Sequence, residues 1–145
     1  MPLIEWSHNR QRLVLPIVVM APLRAANPNL SMRTMGLIDT GPTGTGIRAD
    51  VAEALELRAK GQRRVHTANG MMMAAEYLVR IGFVCGDYRD PDFVADRHQP
   101  YVLDKQYTGF ALQKGVRLPL LIGMDILGEA DLSLYRDGDA RLHLY

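Results

Sequence analysis

An apolar run that stops on an acidic turn constrains this chain most: Leu37-Ile38-Asp39-Thr40-Gly41-Pro42-Thr43-Gly44-Thr45. Two apolar residues lead into one carboxylate, and every residue after it is small or turn-forming. The segment reads as a short strand that must end at Asp39, because Gly41, Pro42 and Gly44 interrupt regular pairing. The Thr40 hydroxyl is placed to hold such a turn from the side. Gly41 has no side chain, so another backbone can approach the carboxylate closely. A lone Asp-x-Gly is common in surface turns, and this one gains its meaning from its apolar approach and from a second segment downstream.

That second segment is Leu118-Pro119-Leu120-Leu121-Ile122-Gly123-Met124-Asp125-Ile126-Leu127, an apolar run interrupted at Gly123 that continues into Ala130-Asp131-Leu132-Ser133-Leu134. Short strand-like runs dominate the remainder. Leu13 to Met20 reads as a strand, with Pro16 arguing for an edge or a bulge. Asn27-Pro28-Asn29 is a turn, and Met32 to Ile38 leads into Asp39. Ile47, Val51 and Leu55 recur every fourth residue and predict one short helix that ends before Gly61. Asp50, three residues before Glu53, reads as its capping box.

Val65 to Phe83 reads as a hairpin turning at Asn69-Gly70, residue types that tolerate positive φ. Met71-Met72-Met73 beside the turn is either an adaptable apolar surface or ordinary packing. Arg58, Lys60, Arg63 and Arg64, just before the hairpin, read as a solvated turn. The stretch from Asp87 to Lys114 reads as a partly exposed excursion, punctuated by Asp90-Pro91 and Gln99-Pro100. At the end, Asp137-Gly138-Asp139 turns between strands Leu132–Tyr135 and Leu142–Tyr145.

With 145 residues the expectation is one domain, 1–145. A formal charge of +1 gives no electrostatic case for nucleic acid or an anionic membrane as partner. No apolar run approaches the ~20 residues that cross a bilayer, and Met1 to Trp6 lacks the pattern of a signal peptide. The single cysteine, Cys85, rules out an internal disulfide and reads as a small core residue. The expected location is therefore cytoplasmic. His8, His66, His98 and His143 show no ligand spacing, so no metal is expected. Nor does any Gly-Lys-Ser/Thr follow the glycines at 41, 44 and 46, so neither a nucleotide nor any other cofactor is expected.

Three pieces in order, Ile38-Asp39-Thr40-Gly41, Thr67-Ala68-Asn69-Gly70 and Leu121-Ile122-Gly123, resemble the retroviral-type aspartic proteases (retropepsins), and most closely their bacterial single-domain branch. The resemblance runs from about residue 13 to the end and is weakest between Asp87 and Val116. It implies an all-β, closed, retropepsin-like barrel with one short helix and a flap hairpin. It also implies an aspartic endopeptidase, with Asp39 catalytic, Thr40, Gly41 and Pro42 in the active-site loop, and Ala68, Asn69 and Gly70 at the tip of a substrate-binding flap. Leu121, Ile122 and Gly123 are support for the loop.

Peptide hydrolysis in that family takes two carboxylates around one water, and this chain has one Asp-Thr-Gly. Activity therefore implies a homodimer in which each subunit supplies one Asp39, acting on a peptide or protein substrate. Pro42 departs from the family, which usually has Ala or Ser there, because it removes a backbone donor and adds bulk. That departure keeps open a catalytically silent peptide-binding or oligomerisation module with the same fold. A third reading, a β-barrel interaction protein with an incidental Asp-Thr-Gly, requires Asp39 to lie away from any dimer cleft.

Overall fold

A computed structural model describes residues 2–8, 13–67, 69–113 and 115–145. Its elements run β1 (Leu3–Ser7), β2 (Val14–Met20), β3 (Ser31–Ile38), β4 (Gly46–Ile47), α1 (Ala49–Ala54), β5 (Gly61–Thr67), β6 (Gly70–Phe83), β7 (Gly86–Asp87), β8 (Tyr101–Ala111), β9 (Leu120–Ile122), α2 (Met124–Leu127), β10 (Asp131–Leu134) and β11 (Asp139–His143). Six strands close into a barrel in the order β2-β3-β9-β4-β8-β6, with β6 returning to β2. Strand β5 lies outside that ring, paired to β6 alone. The remaining strands form a four-stranded sheet, β10-β11-β1-β7. Ile4, Trp6 and Leu142 of this sheet share one apolar cluster with Ile17, Ile81, Phe83 and Leu120 of the barrel. The architecture is the closed all-β barrel that the sequence predicts.

Local chemistry explains the strands that hold the loop. Pro16 pairs with Met35 of β3, while β2 meets β6 only from Ile17 to Met20. The missing N–H of Pro16 therefore falls where β2 has one neighbour, a local edge. In β3 the burial deepens towards its end, and Gly36 is required there, since a Cβ would lie 2.8 Å from Ile17 Cγ1. The last residues of β3 run parallel to β9, with Leu37 opposite Leu121 and Ile38 opposite Ile122.

Several expectations need correction. Helix α1 buries Val51 and Ala52, with Leu55 buried at its C-cap, but Ile47 belongs to β4. No capping box forms: the N-cap is Arg48, without a side-chain cap bond. Asp50 instead receives the Arg48 guanidinium through Nε at 2.7 Å and Nη2 at 2.9 Å. A charge-assisted fork outcompetes a neutral N–H. There is a second short helix, α2, where the sequence reads as a continuing apolar run, and a 3₁₀ turn at Ala95–Arg97.

The hairpin begins at Gly61, so Arg63 and Arg64 lie within β5 and not in a turn before it. Tyr101–Ala111, expected in an exposed excursion, is a barrel strand paired with β6 and β4. Its consecutive exposed residues Asp104, Lys105 and Gln106 sit at a bulge, which breaks the alternation that marks a strand. Strand β1, beyond the reach of the resemblance, pairs with β11 and β7.

Candidate active site

Asp39 follows β3 directly and is tied down at once. Its N–H donates to the Ile122 carbonyl at 3.0 Å, extending the β3–β9 pairing by one bond. Its Oδ1 accepts the Gly41 N–H at 2.9 Å. Oδ2 makes no hydrogen bond among the described residues. The carboxylate is thus half-buried, fixed on one side and open on the other. Thr40 and Gly41 are exposed, and the Thr40 hydroxyl likewise has no partner among the described residues.

Pro42 does not deprive the carboxylate of a donor, because the N–H that serves Asp39 comes from Gly41. The Pro42 carbonyl accepts the Met124 N–H at 2.9 Å, and the Thr43 carbonyl accepts the Asp125 N–H at 2.9 Å. These bonds fasten the loop to the first turn of α2. Gly123 makes the approach possible: a Cβ there would lie 2.3 Å from the Gly44 carbonyl oxygen and 3.0 Å from that of Pro42. Gly123 serves as the support that the sequence expects.

Three side chains that no motif singles out complete the loop's surroundings. Asp125 accepts the Thr45 N–H at 3.0 Å and the Thr45 hydroxyl at 2.8 Å, and Thr45 is fully buried. Arg63 reaches from β5 to the loop, its Nη1 lying 2.3 Å from where a Gly44 Cβ would be. The same guanidinium pairs with Glu76 at 2.9 Å and lies over the Phe110 ring. Arg48 donates from Nη1 to the carbonyls of Val116 at 3.2 Å and Arg117 at 2.9 Å. Nothing local in the sequence signals these partnerships, which span 80 residues for Thr45–Asp125 and 68 for Arg48–Val116.

The segment that Arg48 holds walls a groove of about 530 Å³ beside Asp39. Its apolar lining comes from Leu37, Ile38, Leu118, Leu120 and Leu121, with Arg117 also present. This volume lies within the range of ordinary ligand sites, about 300–1,000 Å³. At the hairpin tip, Asn69 and Gly70 are exposed and Gly70 has φ +107°. Ala68 lies outside the described residues. Cys85 packs against the core, and burial raises its thiol pKa, which keeps it protonated near neutral pH. Among the described residues no cluster of His, Cys, Asp and Glu is built to hold a metal, and no helix is long and apolar enough to cross a membrane.

Comparison with known proteins follows the same lines. A family profile described as aspartyl protease matches residues 29–126, from the turn before β3 into α2. The fold is similar to the crystal structure of a retropepsin-like aspartic protease from Rickettsia conorii, with a TM-score of 0.62 and 18% identity over 98% of this chain and 90% of that one. No curated protein matches the chain.

Proposed function

Because the chain belongs to the aspartyl protease family, we propose that it is an aspartic endopeptidase whose active unit is a homodimer carrying one Asp39 from each subunit. The observation that carries this reading is the state of Asp39: anchored through Oδ1, open at Oδ2, and set beside an apolar groove large enough for a side chain. One such carboxylate is half of a catalytic pair. Two held together across a two-fold axis do not both ionise readily, so they share a proton, and their apparent pKa values belong to the pair.

In this mechanism the ionised Asp39 takes a proton from the lytic water as its oxygen attacks the peptide carbonyl carbon. The protonated Asp39 of the other subunit gives its proton to the carbonyl oxygen. The tetrahedral intermediate collapses when the first carboxyl protonates the amide nitrogen and the second recovers the hydroxyl proton, so the C–N bond breaks without a covalent acyl-enzyme. Thr40 of each subunit braces the opposite loop through its hydroxyl, and Ala68, Asn69 and Gly70 close over the peptide backbone. The groove takes an apolar side chain of a peptide or protein substrate. Pro42 is compatible with this chemistry, since its carbonyl and not its nitrogen is used.

The test compares wild type with Asp39→Asn on a diverse peptide mixture from about pH 3.5 to 7.5, a span that covers ionisation of a coupled pair. Cleavage by wild type alone is expected. A folded, dimeric wild-type protein that cleaves nothing supports the silent binding module instead.

A further inference from the structure

A second cavity, of about 370 Å³, opens where the turn between β2 and β3 faces the end of helix α1. It shares no lining residue with the groove beside Asp39. Its apolar wall is Pro22 and Leu30 from the turn, Leu55 and Leu57 from the helix end, and Leu78 from β6. Leu55 is buried, and Leu30 and Leu57 pack on the core. The turn itself is clamped. Arg80 of β6 donates from Nε to the Ala21 carbonyl at 2.8 Å and from Nη2 to the Pro28 carbonyl at 2.6 Å. Leu23 N–H donates to Gln106 Oε1 at 2.9 Å. The cavity is therefore preformed, and its volume lies inside the ordinary ligand range of about 300–1,000 Å³.

The rim is charged and unsatisfied. Arg24, Glu56 and Arg58 line the opening, and all three are exposed. Among the described residues none of their side chains forms an ion pair or a hydrogen bond, so neither guanidinium meets the Glu56 carboxylate. Glu56 is also held in an unusual conformation. Leu57 N–H donates to the Ala52 carbonyl at 2.9 Å and Glu56 N–H to the Glu53 carbonyl at 3.0 Å, the paired bonds of a Schellman close. That motif puts one residue in the left-handed region, where glycine is usual, and Glu56 takes the place at φ 53°. It is the one non-glycine residue with positive φ among the described residues. Backbone strain of this kind persists at ligand clamps, and here it falls on the rim of the cavity.

We infer that this cavity binds a carboxylate joined to an apolar body, with the charge between Arg24 and Arg58 and the hydrocarbon against Leu30, Leu57 and Leu78. Two cations and one anion leave the rim net positive, which favours a carboxylate over an ammonium. An uncharged apolar ligand would leave both guanidiniums unused, and their planar forks match a carboxylate bidentately. Such a ligand has two sources, the C-terminal residue of a peptide or a short fatty acid. Glu56 separates them. A peptide end carries an amide N–H that the Glu56 carboxylate can accept, and a fatty acid has none.

Occupancy also bears on the hairpin. Arg58 stands three residues before β5, and the hairpin root is tied by Lys60 N–H donating to the Glu76 carbonyl at 2.8 Å. A ligand held by Arg58 thus fixes the segment from which the hairpin springs.

Backbone N–H chemical shifts of the full chain, followed in titrations with N-acetyl-L-leucine, hexanoate and N-acetyl-L-leucinamide, test the site without an assay of cleavage. Both carboxylates are expected to move the signals of 22–30 and 55–60, whereas the uncharged leucinamide leaves them in place. Arg24→Gln combined with Arg58→Gln is expected to weaken both carboxylates at least about tenfold, the worth of one hydrogen bond to a charged group. Both arginines are exposed and unpaired among the described residues, so the variant keeps the fold. Glu56→Gly, which suits the left-handed position, is expected to weaken N-acetyl-L-leucine alone and so to mark a peptide end as the ligand. Hexanoate binding without a response to N-acetyl-L-leucine upholds the site and assigns it to fatty acids. Equal shifts from all three probes overturn the proposal, as does the absence of a response to either carboxylate. So does carboxylate binding that is unchanged in the double arginine variant. Asp39 takes no part, so each outcome holds whether or not the chain cleaves peptides.

Discussion

At the residue scale, the site rests on two positions of unequal visibility. Asp39-Thr40-Gly41 is plain in the sequence because an apolar strand, an acid and a turn are adjacent. Asp125 is not, because its meaning lies in a buried threonine 80 residues earlier. The Asp125 carboxylate also accepts the Ile126 N–H at 2.9 Å, so it joins the start of α2 to the end of the Asp39 loop. Asp125→Ala strands a buried N–H and a buried hydroxyl on Thr45, at a cost of about 1–3 kcal/mol. Asp125→Asn keeps one acceptor oxygen and loses less. Denaturant unfolding at fixed protein concentration reads the difference, and a double-mutant cycle with Thr45→Val isolates the pair. Equal stability of wild type and Asp125→Ala shows that the contact does not hold the loop.

At the element scale, strands are legible where apolar residues alternate or run together between turn residues. Strands β2, β3 and β9 and the tip of the hairpin meet that condition. Strand β8 fails it because Asp104-Lys105-Gln106 marks a bulge, and α2 is hidden because its four residues are too few for a helical period to register. Strand β7, at two residues, is equally silent and is secured by charge. Arg89 reaches Asp87 at 2.8 Å, Asp139 on β11 at 2.8 Å and Glu5 on β1 at 3.0 Å, joining three strands of the sheet that carries β10. The hydrogen bonds from Arg89 lower the Asp87 pKa. A carboxyl depressed on folding contributes stability above its unfolded pKa, about 3.9, and loses it as pH falls through the folded value. Wild type should therefore exceed Asp87→Asn in thermal midpoint at pH 7, with the gap closing as the pH falls below the unfolded carboxyl value of about 3.9 and through the lowered folded one. A gap independent of pH shows that Arg89 does not act through Asp87.

For the whole molecule, the proposed sharing of one Asp39 from each subunit predicts that activity belongs to a pair of chains and not to one. A subunit with Asp39→Asn can still present the same loop and groove, since asparagine keeps an oxygen to accept the Gly41 N–H. Mixed with wild type and allowed to exchange, it forms heterodimers that hold one ionisable carboxyl instead of two. Such a dimer cannot pass the proton from water to carbonyl oxygen to amide nitrogen, so it is inactive. Under random exchange, the cleavage remaining per wild-type subunit equals the wild-type fraction: about half at equal amounts and about a tenth at a ninefold excess of variant. A monomeric catalyst gives no such loss, because each wild-type chain works regardless of its neighbours. Assaying the mixture before and after exchange separates subunit exchange from competition for substrate. Inhibition that is complete at once means that the variant sequesters peptide, and that wild-type activity does not depend on a shared carboxylate pair.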